Sequence, residues 1–206
     1  MIQRDLSIIS KYEKVIVELG SGDGRLLKKL VGDETSRNTL AIGIELDTSQ
    51  YEKSCDLIEK NNMHFINNSF EELLPDFPDE SIDSIISVLP APRYIDIDFQ
   101  ELWVPFYQIV LKKLKETGSL ILVTELTDDL FQPVSPSDFV AWKYWLESVF
   151  ISIGFKLRTL DGVPSNFSSQ FLDQFKADPE RIKIVTLIMK KLRKNTRELR
   201  RRNLGL

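Results

Sequence analysis

The chain has 206 residues, 42% hydrophobic and 28% charged, with a net charge of −4, one cysteine and one histidine. That length fits one domain able to bury a core without covalent staples. A single cysteine excludes an internal disulfide and points to a cytoplasmic setting, and one Cys with one His excludes a Cys/His metal site. No apolar run approaches the ~20 residues that cross a bilayer, and the first residues lack a signal-peptide pattern, so no membrane partner is expected.

Apolar and polar segments alternate in a βαβα rhythm, which predicts a parallel sheet covered on both faces. Strands are expected at 14–18, 40–45, 63–67, 82–88, 119–125, 155–160 and 182–189, and helices at 24–32, 49–60, 99–116 and 137–153. Leu40-Ala-Ile-Gly-Ile is a continuous apolar run, as a strand buried on both faces requires. Val104, Tyr107, Val110, Leu111 and Leu114 recur at helical spacing, and Thr117-Gly118 reads as the cap that ends their helix. Ser135-Pro136-Ser137-Asp138 reads as a helix start, and the aromatics that follow, Trp142, Tyr144, Trp145 and Phe150, are expected to be core. The polar stretch 164–179 is expected to be a loop holding a short helix.

The chemistry begins at Glu18-Leu-Gly-Ser-Gly-Asp-Gly-Arg, directly after Val15-Ile-Val. Glycines at 20, 22 and 24 suit a turn that takes positive φ or lets a ligand come within contact distance. Strand, glycine turn and helix N-terminus together form the nucleotide-binding corner of doubly wound α/β proteins. The spacing is not Gly-x-Gly-x-x-Gly, and the turn carries Glu18 and Asp23. Carboxylates inside the turn would repel a pyrophosphate and attract a sulfonium and an ammonium, so the expected ligand is S-adenosylmethionine. Glu45, in Gly43-Ile-Glu-Leu-Asp at the second strand end, stands at the distance where a carboxylate accepts hydrogen bonds from ribose hydroxyls. Asn68-Ser69-Phe70, after the third strand, falls where an adenine edge would lie. The fourth strand runs into Leu89-Pro-Ala-Pro-Arg-Tyr, whose prolines hold an extended backbone at the edge where open α/β sheets bind ligands.

These four signals, in this order over residues 14 to about 126, resemble the class I S-adenosylmethionine-dependent methyltransferases. The resemblance implies a doubly wound, seven-stranded, mostly parallel sheet of order 3-2-1-4-5-7-6 with the last strand antiparallel, and methyl transfer by in-line displacement. It implies a cofactor site of Glu18, Gly20, Ser21, Gly22, Gly24, Glu45, Leu46, Asn68, Ser69, Phe70 and Leu89. It leaves Arg93, Tyr94 and Glu125 as candidates on the acceptor side, with no metal. Within the class the chain is most similar to the tRNA (guanine-N7) methyltransferases, through Gly43-Ile-Glu45, Leu73-Leu-Pro-Asp-Phe-Pro-Asp-Glu-Ser-Ile-Asp83, Leu114-Lys-Glu-Thr-Gly118 and Thr124-Glu125. It departs from them at Ala91, where they carry an acid, and at Tyr94-Ile-Asp-Ile-Asp-Phe-Gln, where they are basic. A weaker likeness runs to the ribosomal RNA adenine-N1 methyltransferases.

Charge is unevenly spread. Residues 190–206 hold eight Lys/Arg and one acid, net +7, which leaves residues 1–189 at −11. The expected division is a methyltransferase domain over 1–189 and a basic, helical tail over 190–206. The tail docks on the acidic body, contacts RNA phosphates, or meets a partner protein or a membrane surface, the last disfavoured by its few apolar residues. The leading functional expectation is methylation of a base in structured RNA, tRNA or rRNA. Methylation of a protein or small molecule, or a catalytically degenerate cofactor-binding protein, stands as the alternative.

Overall fold

A computed structural model describes residues 6–32, 38–58, 62–128, 132–167 and 170–192. Seven strands form one sheet of order β3-β2-β1-β4-β5-β7-β6. They are β1 Lys14–Leu19, β2 Thr39–Glu45, β3 Met63–Asn67, β4 Ile82–Val88, β5 Leu114–Thr127, β6 Phe155–Asp161 and β7 Ile182–Lys191. All neighbours pair in parallel except β7, which is antiparallel to both β5 and β6. The expected count, order and single reversed strand are all present.

The alternation of side chains along a strand divides the core into two layers. Val15, Val17 and Leu19 of β1 point into the layer covered by α4 (Gln100–Lys113) and α5 (Pro136–Ile153), where Trp103, Tyr107 and Phe150 are fully buried. Ile16, Ala41, Ile86 and Val123 point the other way, against Leu26, Leu27 and Val31 of α1 (Arg25–Gly32) and Leu172 of α6 (Gln170–Lys176). Tyr51 of α2 (Thr48–Cys55) packs on this second layer. A one-turn helix, α3 (Phe70–Leu73), caps the end of β3.

Three expected boundaries are corrected. The second helix ends at Cys55, where the Asp56 N–H turns back to the Ser54 carbonyl, and positions 59–61 lie outside the described residues. The long fourth helix ends at Lys113, because Leu114 already pairs with Ile82. Thr117-Gly118 is therefore part of β5, in the stretch where the register shifts between the Ile82–Leu114 and Ser84–Ser119 pairs. An added Cβ at Gly118 would stand 2.9 Å from the Ile82 carbonyl oxygen, so the glycine reflects close backbone approach rather than a cap. Inside that irregularity Lys115 Nζ meets Asp83 at 2.6 Å, and the same carboxylate accepts the Val15 N–H at 2.8 Å, which ties β1, β4 and β5 together. The start of α5 is as expected: the Ser135 hydroxyl accepts the Asp138 N–H, with Pro136 in the first turn. Of its aromatics, Phe150 is buried and Trp142 and Trp145 pack against the core. Tyr144 is 69% exposed and does not join them. Lys190 and Lys191, assigned to the tail from composition, belong to β7; the tail beyond Leu192 lies outside the described residues.

Candidate active site

Strand alternation also builds the site. On the α1–α6 face of the sheet, two residues beyond Ile16 comes Glu18 and two beyond Gly43 comes Glu45. Val88 follows Ile86, and Glu125 follows Val123. All four line one cavity of about 770 Å³ at the C-terminal ends of the strands. The carboxylates thus converge because each ends its strand on the same face.

The turn after β1 closes over that edge. Gly20, Gly22 and Gly24 have φ of +71°, +53° and +77°, which favours glycine at each. The Gly20 and Ser21 N–H groups donate to the Ile44 carbonyl at 2.9 and 3.0 Å, anchoring the turn to β2. Gly24 does not line the cavity; it seats α1 against the Phe65 ring, where an added Cβ would come within 2.5 Å. Gly24→Val combines that clash with a β-branched residue at positive φ, where backbone strain alone costs about 1–3 kcal/mol. The variant should lose ~3 kcal/mol in urea unfolding; a loss below ~1 kcal/mol would show that Phe65 simply moves aside.

Glu45 is held rigidly. One carboxylate oxygen accepts the Gly22 N–H at 2.7 Å and the other accepts the Asp47 N–H at 2.8 Å. This fixes the glycine turn relative to β2 and leaves each oxygen a second lone pair toward the cavity. Asp47 in turn caps α2, taking the Ser49 and Gln50 N–H groups. Glu18 is 3% exposed and its Oε2 has no hydrogen-bond partner. Burial, with Asp23 and Glu45 nearby, pushes its carboxyl well above the usual range, only partly offset by the Leu27 N–H in the first turn of α1. The Ser21 hydroxyl is also buried without a partner.

The opposite wall comes from the β4 exit, the end of β5 and α6. Leu89 has φ of +50°, rare for a branched side chain, and its N–H is held by the Val123 carbonyl at 2.8 Å. Pro90, Ala91 and Pro92 continue the wall, and Gln174 and Phe175 face it. Glu125 is largely buried, its Oε2 is unpartnered, and burial pushes its carboxyl up to about 7.

Of the sequence candidates, Glu18, Gly20, Ser21, Gly22, Glu45, Leu89 and Glu125 meet at the cavity. The others lie outside its lining. Leu46 is 67% exposed, and the Ser69 hydroxyl caps α3 by accepting the Glu71 N–H. Asn68 carries a buried, unpartnered amide nitrogen. Phe70 packs on Tyr94 and Phe106 at centroid distances of 4.8 and 5.3 Å. The Arg93 guanidinium pairs with Glu71 at 2.7 Å and hydrogen-bonds the Tyr94 hydroxyl, forming the outer end of that aromatic cluster. Asp47 and Lys53 of α2 and Gln174 and Phe175 of α6 join the cavity without having been singled out. Asp47 was legible as the polar residue two beyond Glu45, whereas nothing in the local pattern of α6 marks it. Among the described residues no group of three or more His, Cys, Asp or Glu could hold a metal ion, and no helix is long and apolar enough to cross a membrane.

No protein-family model and no curated protein matches this sequence. Solved structures do share its architecture. The 16S rRNA methyltransferase KamB superposes with a TM-score of 0.69 at 16% identity, over 90% of this chain and 91% of that one. An antibiotic-related methyltransferase gives 0.62 at 19% identity, over 93% and 96%. Phosphoethanolamine N-methyltransferase 2 of Haemonchus contortus, in complex with S-adenosyl-L-methionine, gives 0.59 at 13% identity, over 89% of this chain and 50% of that one. At these identities the likeness is one of fold: the seven-stranded, Rossmann-like methyltransferase sheet with helices on both faces.

Proposed function

We propose that the chain is an S-adenosylmethionine-dependent methyltransferase of the class I type. The observation that carries this reading is Glu18, a buried carboxylate with an unpartnered oxygen at the glycine turn. An anion that costly to bury calls for a cation, and the ammonium of the cofactor supplies one. The cavity lining, among the described residues, has five carboxylates (Glu18, Asp23, Glu45, Asp47 and Glu125) against one cation, Lys53. That charge suits a sulfonium and disfavours a dinucleotide pyrophosphate. In this reading Glu45 accepts the ribose hydroxyls with the lone pairs its backbone partners leave, and Gly20 and Gly22 permit close backbone approach. Leu46, Asn68, Ser69 and Phe70 belong to the adenine end. When bound, the cofactor supplies an electrophilic methyl group; the protein contributes its orientation against an acceptor bounded by Leu89–Pro92, Phe175 and Glu125. A cytoplasmic setting is part of the same proposal, given the single cysteine.

The charge around the cavity supports a small acceptor that enters it. A polyphosphate chain would meet carboxylates at the rim, and Arg93, the cation on the β4 exit, is already paired with Glu71. The RNA reading is favoured by a different observation, the +7 tail, together with the fold likeness to a ribosomal RNA methyltransferase. Because β7 is antiparallel, however, Lys190 lies beside Ser119, six residues before Glu125 along β5. The tail therefore departs about 20 Å from the cavity, at the opposite edge of the sheet.

Two measurements test the proposal. Incubation with labelled S-adenosylmethionine and cell extract should label the small-molecule fraction; label in RNA would favour the RNA reading. Label in no fraction, with cofactor binding intact, would favour a non-catalytic binder. Glu45→Ala should weaken S-adenosylhomocysteine binding by ~1.5–3 kcal/mol in calorimetry, the range for hydrogen bonds to a charged group. Unchanged affinity would remove Glu45 from the site.

A further inference from the structure

Glu125 is the one carboxylate in the cavity that neither the glycine turn nor a backbone cap accounts for. It lies at the end of β5, on the wall formed with the Leu89–Pro92 exit and Phe175, and its Oε2 is buried without a partner. Its surroundings are apolar. The register pairs it with Ile184 of β7, and β4 ends beside it at Val88. The charged groups on the packed elements are engaged elsewhere. Asp173 and Lys176 of α6 face each other at 3.9 Å, and Lys183 Nζ of β7 donates to the Pro179 carbonyl at 2.6 Å. Glu18 and Asp23 stand across the cavity at the glycine turn. The Glu125 carboxyl meets its own backbone N–H, which leaves Oε2 without a partner, and the one cation of the cavity lining among the described residues, Lys53, stands on α2.

We propose that Glu125 is the catalytic base and that the acceptor is a small amine, a nucleophile that enters carrying a proton. The inference rests on the methyl-donor reading above and adds the acceptor class to it. The amine enters as its ammonium and pairs with the Glu125 carboxylate, and the apolar wall favours moving the proton onto the carboxylate over keeping both charges. The freed nitrogen lone pair then forms the N–CH3 bond as the S–CH3 bond breaks, with the breaking pair staying on sulfur as a neutral thioether. The methylated nitrogen leaves as its ammonium, and Glu125 gives the proton it took to solvent after product release. Burial raises the Glu125 carboxyl to about 7, which suits proton exchange with an ammonium far better than with an alcohol. A ring nitrogen with a bare lone pair would need no such group.

The test separates this inference from the donor reading. Calorimetry at pH 8 compares wild type with Glu125→Gln, using S-adenosylhomocysteine and sinefungin, the analogue that carries an amine where the methyl group would be. If Glu125 faces the reacting position, wild type prefers sinefungin over S-adenosylhomocysteine at least tenfold more strongly than Glu125→Gln does. Affinity for S-adenosylhomocysteine itself stays within about twofold. An unchanged preference overturns the role of Glu125 and leaves the donor reading intact, whereas binding of neither ligand by wild type overturns both. Should the variant fail to fold, carboxyl-carbon NMR of wild type gives the same answer. One glutamate titrating near neutrality should shift on adding sinefungin and not on adding S-adenosylhomocysteine; no such difference overturns the proposal. For the acceptor class, transfer of labelled methyl to a small-molecule extract should stop once the extract's amines are acetylated. Label that survives acetylation, or no label from untreated extract, overturns the amine assignment.

Discussion

Glu18→Gln should weaken S-adenosylhomocysteine binding by about 10–100-fold, the loss expected when a charge-assisted hydrogen bond of ~1.5–3 kcal/mol is removed. The same change should make the unliganded protein less sensitive to rising pH. The Glu18 carboxyl is held well above its ordinary value by burial and by Asp23 and Glu45. A group raised in the folded state contributes stability that is fully present below its unfolded value of about 4.5 and is lost as pH rises through the folded value. Wild type should therefore lose stability above that point because folding then confines an anion beside two others, and Glu18→Gln has no such charge to lose. Urea unfolding at pH 5 and pH 8 checks this: the variant's stability relative to wild type should improve between the two. An equal pH dependence for both proteins would mean that Glu18 is solvated in solution.

Lys113→Ala should cost about 3 kcal/mol of stability and leave S-adenosylhomocysteine binding unchanged. Lys113 ends α4 almost fully buried, and its Nζ donates to the Pro75 carbonyl at 2.9 Å and the Phe77 carbonyl at 2.7 Å. Truncation orphans both acceptors and removes the packing of a buried stem, each on the order of 1–2 kcal/mol. The nearby ion pair with Asp79 is solvent-facing and adds little. The residue sits beside Leu114, where β5 begins, at the edge of the sheet away from the cavity. The expected signature is a lower urea midpoint with an unaltered dissociation constant. A loss below ~1 kcal/mol would mean that water replaces the ammonium at both carbonyls.

The Leu73–Asp83 segment has a structural part of its own. Pro75 and Phe77 supply the carbonyls that Lys113 secures, so that segment braces the β3–β4 connection.

Much of the protein was legible in the amino-acid order. Strand count and the glycine turn follow from local rules, continuous apolar runs for strands buried on both faces and glycine where φ must be positive, whereas the order and the reversed β7 came from the resemblance alone. Glu18 and Glu45 were legible for the same reason, since each closes a strand whose periodicity is plain. The long α4 was misjudged at its end because helical spacing continues into Leu114, and only pairing with Ile82 decides that the chain is already a strand there. Tyr144 is exposed where core was expected, because five aromatics in one helix do not reveal which face meets the sheet.

The sequence by itself determined the strands and the carboxylates at the glycine-turn end of the cavity, because both depend on residues near one another along the chain. Tertiary structure alone decided the wall of the cavity opposite the glycine turn. Val88, Glu125 and Phe175 lie on three separate elements, and no local pattern tells a strand which face its last carboxylate will share with a distant helix. It also decided where the tail departs, since reversing β7 carries its basic end to the far edge of the sheet. Packing and sheet order, which act between distant residues, placed Glu125, near the end of β5, in the cavity wall beside Val88 and Phe175.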